Sequence, residues 1–247
     1  MSAATATWTC AAPPTDLNTS AGPALSGGPD RTDLAGLVMA ARLDLEGVNV
    51  ARESGLAACR RTIRAAGSAI RAVHHREPER YAALLADCET ALREAQRVLQ
   101  PYPAISYAGF LHDAEKEFTE AVLTQVLVDG GPFPSYIELA VGLPAWLNGL
   151  AEAASELRRH LLDRLRGGET SKAEQLLATM EEVYEALVSV DYPDAVTGGL
   201  RRTADALRAV LERTRSDVTT TILQLRLQEA LERRAGQEQP PEGWTPV

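Results

Sequence analysis

Three acids lie along one side of the segment formed by residues 109–128, GFLHDAEKEFTEAVLTQVLV. The apolar residues of this segment recur with the spacing of an amphipathic helix. On that helix Asp113, Glu117 and Glu120 fall in a line at the edge of the apolar stripe, where packing against a neighbour begins. A carboxylate at such an edge loses water unless it pairs with a base or binds a cation. The spacing therefore indicates either a metal site or an acidic edge that other side chains neutralise.

A second acidic edge follows in residues 146–165, WLNGLAEAASELRRHLLDRL. Glu152 and Glu156 are four residues apart and are neighbours on a helix surface, with Asp163 on the same side. Gly149 also lies on this side and leaves room for a close neighbour or a ligand. If the two helices pack side by side, carboxylates from both would raise one another's pKa or bind a divalent cation. Oxygen ligands of this kind favour Mg²⁺, with Mn²⁺ as an alternative.

The same acids have two other interpretations. Arg158, Arg159 and Arg164 could pair with them and leave a solvated charged face. A di-iron carboxylate bundle is the second alternative, but it needs a Glu-x-x-His motif. Arg159 stands at the histidine position after Glu156, and His160 comes one residue later. The pattern therefore fits a di-iron site less well than a hard divalent cation that activates water.

A basic stripe is predicted on the first long helix, in residues 51–77 (ARESGLAACRRTIRAAGSAIRAVHHRE). A guanidinium group binds two phosphate oxygens at once, so clustered arginines favour contact with a nucleic acid. The candidate contact residues are Arg60, Arg61, Arg64, Arg71 and Arg76. Ion pairs with Glu-rich helices, or an arginine-rich contact between subunits, are the competing explanations.

Composition and charge limit the class of protein. The 247 residues carry a formal net charge of -9, which disfavours unspecific nucleic-acid binding but allows a local basic patch. The cysteines, Cys10, Cys59 and Cys88, are odd in number and lack CxxC spacing, which excludes a disulfide framework and a zinc motif. There is no apolar run of about 18 residues and no signal-peptide pattern. We therefore expect a cytoplasmic protein that makes no membrane contact.

The periodicity predicts helices nearly throughout. We expect a disordered N-terminal arm at residues 1–30, a helical domain at residues 31–233 and a disordered C-terminal tail at residues 234–247. The long helices are predicted at about residues 33–76, 78–99, 110–129, 144–166, 171–190 and 195–233. No strand-like alternation interrupts them. The fold class is therefore all-α, a single antiparallel bundle of six or seven helices.

Several segments together resemble the translin/Trax family, over about residues 32–233. The segments are RRTIRAAGSAIRAVHHRE, YAGFLHDAEKEFTEAVL, GLAEAASELRR, MEEVYEALVSVDYP and GLRRTADALRAVLERTRSDVT. Their order and spacing carry the resemblance more than any one of them. It implies an all-α fold of about seven helices, assembly into hollow oligomers, and binding of single-stranded RNA and DNA. Trax-type members also supply a Mg²⁺-dependent endoribonuclease.

The resemblance also implies the residues of a catalytic metal site. EKEFTEAV supplies Glu117 and Glu120, and GLAEAASELRR supplies Glu152 and Glu156. Translin itself lacks acids that cleavage needs, whereas this chain keeps four, as a self-assembling prokaryotic member of the Trax type would. One departure is that Glu152 stands where Trax-type sequences usually have Asp. The longer side chain shifts the carboxylate by about one bond, and Mg²⁺ tolerates little deviation from octahedral geometry.

Three functions remain as hypotheses from the sequence. The first is a metal-dependent endoribonuclease that acts on single-stranded or partly unpaired RNA. The second is a non-catalytic oligomer of the translin type that binds single-stranded RNA or DNA. The third is a helical scaffold that binds only protein. A homo-oligomer is expected because the last helix carries a long apolar stripe, although core packing also explains it. The stripe consists of Leu200, Ala204, Leu207, Leu211, Val218 and Leu223.

Overall fold

The computed structural model describes residues 33–237 of the chain. Within these residues the protein consists of α-helices and turns without a β-strand, which confirms the predicted all-α class. In chain order the helices are α1 (Leu34–His75), α2 (Pro78–Leu99), α3 (Pro103–Ser106), α4 (Phe110–Asp129), α5 (Leu143–Arg166), α6 (Thr170–Val188), α7 (Asp194–Thr197) and α8 (Leu200–Gln237). These eight helices exceed the predicted six or seven because α3 and α7 are four residues long.

The predicted N-terminal arm and most of the predicted C-terminal tail are not among the described residues. The predicted arm at residues 1–30 lies outside the described range, as does the part of the predicted tail after residue 237. Helix α8 continues to Gln237, past the predicted end of the helical domain at residue 233. Among the helices of residues 33–237, none combines the length and the apolar character that a membrane crossing requires.

The chain divides into two compact units, one ending at Leu43 and the other beginning at Asp44. The described part of the first unit is residues 33–43, which hold the beginning of α1. Its large apolar side chains are exposed, namely Leu34, Leu37, Val38, Met39 and Leu43. The second unit contains both apolar clusters of the core.

Helix α4 contributes to both of these clusters. The first cluster joins Leu123 and Leu127 of α4 to apolar residues of α5, α6 and α8. The second joins Phe118 of α4 to the small residues of α1 and the apolar face of α2. Trp146 of α5 packs against both clusters. Because burial of apolar area is the main stabilising term of a fold, this double contact fixes α4 at the centre of the second unit.

The loop between α4 and α5 is held by side chains that bond to its backbone. Arg93 of α2 donates to the carbonyl oxygens of Leu139 at 2.7 Å and Ala140 at 3.0 Å. Glu115 of α4 accepts a hydrogen bond of 3.0 Å from the backbone N–H of Gly142. Ala140 has a φ of 48°, a left-handed conformation that is unfavourable for a residue with a Cβ atom. These bonds offset the strain and fix where α5 begins.

The apolar stripe of the last helix is used mostly inside the protein. Leu200, Ala204, Leu207, Leu211 and Val218 are buried in the core. Leu223 is 57% exposed, and so are Leu227 and Leu231 farther along α8, at 60% and 59%. The sequence suggested a subunit contact from six apolar residues of this helix. Five of them are explained by packing in the core.

Candidate metal centre and nucleic-acid surface

Helices α4 and α5 are in close contact at Gly149 of α5. A Cβ atom at this position would lie 2.8 Å from the backbone oxygen of Lys116 and 2.8 Å from the Cβ of Thr119. Glycine avoids this clash because it has no side chain. The prediction that Gly149 leaves room for a close neighbour is confirmed. The contact brings the turn of α4 that carries the acids against α5.

Three glutamates converge across this contact. Glu117 and Glu120 of α4 and Glu152 of α5 each offer a carboxylate oxygen, and these oxygens all lie within 4.8 Å of one another. With Mg²⁺–oxygen distances of about 2.0–2.1 Å, ligands on opposite sides of the ion are about 4.2 Å apart. Adjacent ligands of such an ion are about 2.9 Å apart, so the three oxygens, which lie within 4.8 Å of one another, would have to move closer together to share one ion. Their chemistry and spacing fit a hard divalent cation.

The electrostatics of this glutamate group favour uptake of a positive charge. Glu120 is only 9% exposed. Its burial raises the pKa to about 8, and the charges of nearby carboxylates add to the shift. Those carboxylates belong to Glu152, Glu117 and Glu156. The pKa of Glu117 is also raised, chiefly by burial. Because the carboxylates repel one another, a proton or a cation stabilises the group.

Lys116 supplies a positive charge to the glutamate group from within the chain. Its Nζ donates to Oε1 of Glu152 at 2.7 Å and lies 3.7 Å from Oε1 of Glu117. Burial alone would lower the pKa of Lys116. The hydrogen bond to Glu152 and the surrounding negative charges outweigh burial, so the pKa is raised. The sequence interpretation assigned no role to Lys116, although it is one of only two lysines in an arginine-rich chain.

Glu156, the fourth predicted site residue, is not one of the three converging glutamates. Its Oε2 lies 2.6 Å from Nε2 of His74, near the end of α1, and the His74 side chain is only 2% exposed. The negative charge of Glu156 nevertheless contributes to the raised pKa of Glu120. Glu156 therefore lies beside the glutamate group, and its contact with His74 holds it against α1. No pattern along the chain indicates this contact, because it joins residues 82 positions apart.

The other acids of the two acidic edges, and the arginines near them, do not belong to the glutamate group. Asp113 is exposed on α4. Asp163 pairs with Arg166 at 2.8 Å. Arg158 pairs with Asp217 at 2.7 Å and Arg164 with Glu169 at 3.0 Å. These two arginines are thus engaged away from the glutamate group, which weakens the interpretation of a charged face that they would neutralise.

His160 is buried near the site but does not complete a di-iron motif. Its ring centroid lies 5.3 Å from that of His74, and its Nε2 has no hydrogen-bond partner within residues 33–237. Burial, followed by the positive charges around it, lowers its pKa. Within the same residues, the carboxylate cluster around Glu120 that could hold a metal ion contains no histidine. The geometry thus matches an all-oxygen site better than a Glu-x-x-His site.

The predicted basic stripe lies exposed on α1 and just after it. All five arginines, Arg60, Arg61, Arg64, Arg71 and Arg76, are exposed. Arg61 pairs with Glu94 at 2.5 Å, and Arg71 donates to Oγ of Ser68 at 2.8 Å. The other three form no ion pair with any residue in the described range. Because His74 contacts Glu156, the end of this stripe lies beside the glutamate group.

The chain is similar to proteins and structures known from other organisms. No family model matches it. An uncharacterised protein of Methanocaldococcus jannaschii is 34% identical over 128 residues, which cover 51% of this chain. The match spans 57% of that curated relative, little more than half of its length.

Solved structures of C3PO match over a larger part of the chain. The complex of AfC3PO, from Archaeoglobus, with duplex RNA has a TM-score of 0.69 and 32% identity, covering 75% of this chain and 96% of that chain. AfC3PO without RNA gives the same TM-score and identity and is covered to 97%. Apo-NeC3PO, from Nematostella, has a TM-score of 0.68 with 16% identity, covers 78% of this chain and is covered completely. At that identity the last match concerns the fold alone.

Proposed function

Because the chain belongs to the translin/Trax family, we propose that it is a Mg²⁺-dependent endoribonuclease that cleaves single-stranded or partly unpaired RNA. The observation that carries the proposal is the convergence of three carboxylate oxygens, from Glu117, Glu120 and Glu152, within 4.8 Å. Such a group binds Mg²⁺ or Mn²⁺ through hard oxygen ligands. A bound divalent cation of this kind lowers the pKa of water and stabilises negative charge on a phosphate.

The residues of this site have different roles. Glu117, Glu120 and Glu152 hold the cation. Glu156 lies beside them and takes a fixed orientation from its bond to His74, as a fourth carboxylate of the site. Glu120 is the most deeply buried of the three converging acids. The substrate phosphate approaches from the exposed side.

The basic stripe is proposed as the surface that holds the RNA. Arg60, Arg64 and Arg76 are exposed and carry no ion pair within residues 33–237, so they are available for phosphate oxygens. Contacts of this kind position a strand without reading its sequence. AfC3PO was solved with duplex RNA, which supports RNA as the ligand here and makes a comparison of duplex with single strands part of the test. Assembly with further copies of the chain is proposed by the same analogy.

A second candidate is a non-catalytic oligomer of the translin type that binds single-stranded RNA or DNA. The ion pair of Lys116 with Glu152 favours it, because an ammonium group already neutralises part of the glutamate group. The glutamate at position 152, where Trax-type sequences usually have Asp, also favours it. This candidate predicts salt-sensitive binding without metal-dependent turnover.

Cleavage of end-labelled RNA distinguishes the two candidates. The wild-type protein is incubated with single-stranded and duplex RNA of one sequence, with Mg²⁺ and with EDTA. We expect Mg²⁺-dependent cleavage of the single strand, and a loss of about 100-fold or more in Glu120→Gln, since a neutral amide replaces an anionic metal ligand. Asp113→Asn is the matched control, because Asp113 lies on the same edge of α4 but outside the glutamate group. Equal cleavage by Glu120→Gln and wild type would refute the proposal, and binding without cleavage would favour the second candidate.

A further inference from the structure

Lys116 occupies the side of the glutamate group at which a cation would bind. Its Nζ contacts carboxylates from both helices, Glu152 of α5 at 2.7 Å and Glu117 of its own helix at 3.7 Å. The side chain is 20% exposed, so it lies at the edge of the group and reaches solvent. Two of the three carboxylates that converge are therefore already in contact with an ammonium group.

We propose that Lys116 is the built-in counter-ion of the glutamate group and competes with the divalent cation for it. The inference rests on the proposed metal site and deepens it. A divalent ion that binds Glu152 has to break the hydrogen bond between that carboxylate and Lys116. The ammonium group then moves off Glu152 towards solvent. The affinity for the metal is accordingly set by a difference between two binding free energies. One is that of the divalent ion with the carboxylates, and the other is that of the Lys116 ammonium group with the same carboxylates.

The chemistry of lysine suits a counter-ion that has to leave. An ammonium group is a compact charge on a flexible four-carbon stem, and it is strongly hydrated when it reaches water. An arginine at the same place would bridge carboxylate oxygens with its planar fork and would be harder to displace. The chain uses arginine at nearly all of its basic positions, and Lys116 and Lys172 are its only lysines.

The carboxylates of the glutamate group repel one another, which explains why a counter-ion is needed. Glu117, Glu120 and Glu152 bring like charges together, partly out of water. Arg158 and Arg164 of α5 do not relieve this repulsion, since they pair with acids elsewhere. Lys116 therefore keeps the site assembled in the absence of metal, and the metal takes over that role when it binds.

Calorimetric titration with Mn²⁺ tests the inference on the full chain. In Lys116→Met the hydrogen bond to Glu152 no longer has to be broken, so we expect Mn²⁺ to bind about 10- to 100-fold more tightly than to wild type. Lys172→Met is the matched control and should bind as wild type does, because Lys172 pairs with Glu169 on the surface. Lys116→Arg keeps the positive charge and should bind no more tightly than wild type.

Each result of the titration decides between the inference and the proposed function. Tighter binding by Lys116→Met, with or without measurable binding by wild type, supports competition. If Mn²⁺ binds that variant and not the wild type, competition is supported while the metal-dependent nuclease is contradicted. Binding by the wild type with equal or weaker binding by Lys116→Met overturns the inference and leaves the nuclease standing. If no protein binds Mn²⁺, both are wrong.

Amine acylation of the wild-type protein gives a second readout if Lys116→Met does not fold. With acetic anhydride and mass spectrometry, Lys116 should react more readily after Mn²⁺ is added, because its amine is released from Glu152. Lys172 is the internal control and should be unaffected. Reactivity of Lys116 that stays constant or falls on addition of Mn²⁺ would overturn the inference.

Discussion

Nε2 of His74 lies 2.6 Å from Oε2 of Glu156 and joins the end of α1 to α5 beside the glutamate group. The histidine side chain is only 2% exposed, whereas that of Glu156 is 36% exposed, so the bond is shielded from water on the histidine side. A carboxylate held in this way keeps one orientation. The contact thereby couples the helix that carries the basic stripe to the helix that carries part of the proposed metal site.

Replacing His74 should therefore weaken the site without removing a metal ligand. We expect His74→Ala to reduce Mn²⁺ affinity and RNA cleavage by about tenfold or more, the usual effect of losing a partner of a site carboxylate. His74→Gln keeps an N–H donor and should recover part of the loss. His75→Ala is the matched control, because His75 is exposed next to it. A kcat equal to wild type in His74→Ala would show that the bond does not position Glu156.

Gly149 should tolerate no side chain. In Gly149→Ala the new Cβ would meet the backbone oxygen of Lys116 at 2.8 Å, and a backbone atom cannot rotate away. We expect the free energy of unfolding to fall by about 1–3 kcal/mol, as in other overpacked contacts. Urea denaturation measures this change.

A glycine in an open position provides the control for that substitution. Gly67 lies inside α1, where a Cβ would have only the Nη1 of Arg71 within reach, at 3.8 Å. Gly67→Ala should be neutral or stabilising by up to about 1 kcal/mol, because alanine favours helix. If both substitutions had the same effect, the α4–α5 contact would not be as close as described.

The stability of the metal-free protein should depend on pH through Glu120. Its pKa is about 8 in the folded protein and near the ordinary value of 4.5 when unfolded. Between these values the folded state keeps a proton that the unfolded state has released, so stability falls as pH rises, by up to about 1.4 kcal/mol per pH unit. Below the lower value and above the higher one, Glu120 adds no further change.

Denaturation at pH 6 and pH 8.5 without divalent cations measures this effect. The wild-type protein should lose stability on going to pH 8.5, and Glu120→Gln should lose much less, because it has no proton to release. Asp113→Asn should behave as the wild type does. A wild-type protein that is more stable at pH 8.5 than at pH 6 would contradict the raised pKa of Glu120.

The sequence predicted the ends of helices well where a proline or a glycine marks them. Pro78 marks the start of α2 and Gly130 the end of α4, and both boundaries agree with the structure. The short helices α3 and α7 were not predicted as separate helices, since four residues are too few to show a helical period. The end of α8 lay beyond the predicted residue because residues 234–237 contain no proline to stop it.

The part of the site that depends on spacing within one helix was predictable from the sequence. The interval between Glu117 and Glu120 places both on one side of α4, and Glu152 reaches them because α5 packs alongside. The contacts of Lys116 and of His74 were not predictable in this way. They join residues 36 and 82 positions apart, and such pairs follow from the packing of helices rather than from periodicity.

RNA binding should depend on the basic stripe in a salt-sensitive manner. Arg60→Ala combined with Arg64→Ala should reduce affinity for single-stranded RNA. The slope of log K against log salt should also fall by about 0.7 for each phosphate that the variant no longer binds. Arg208→Ala with Arg213→Ala is the matched control, since it removes the same charge from exposed positions of α8. If both pairs had equal effects, the RNA would be attracted by overall charge rather than held by α1.

Anomalous diffraction from crystals grown with Mn²⁺ would locate the proposed metal ion itself. We expect one strong peak about 2.1 Å from a carboxylate oxygen of each of Glu117, Glu120 and Glu152, with Nζ of Lys116 moved away from Glu152. A glutamate group without a peak, at a Mn²⁺ concentration that supports full RNA cleavage, would show that the metal site lies elsewhere.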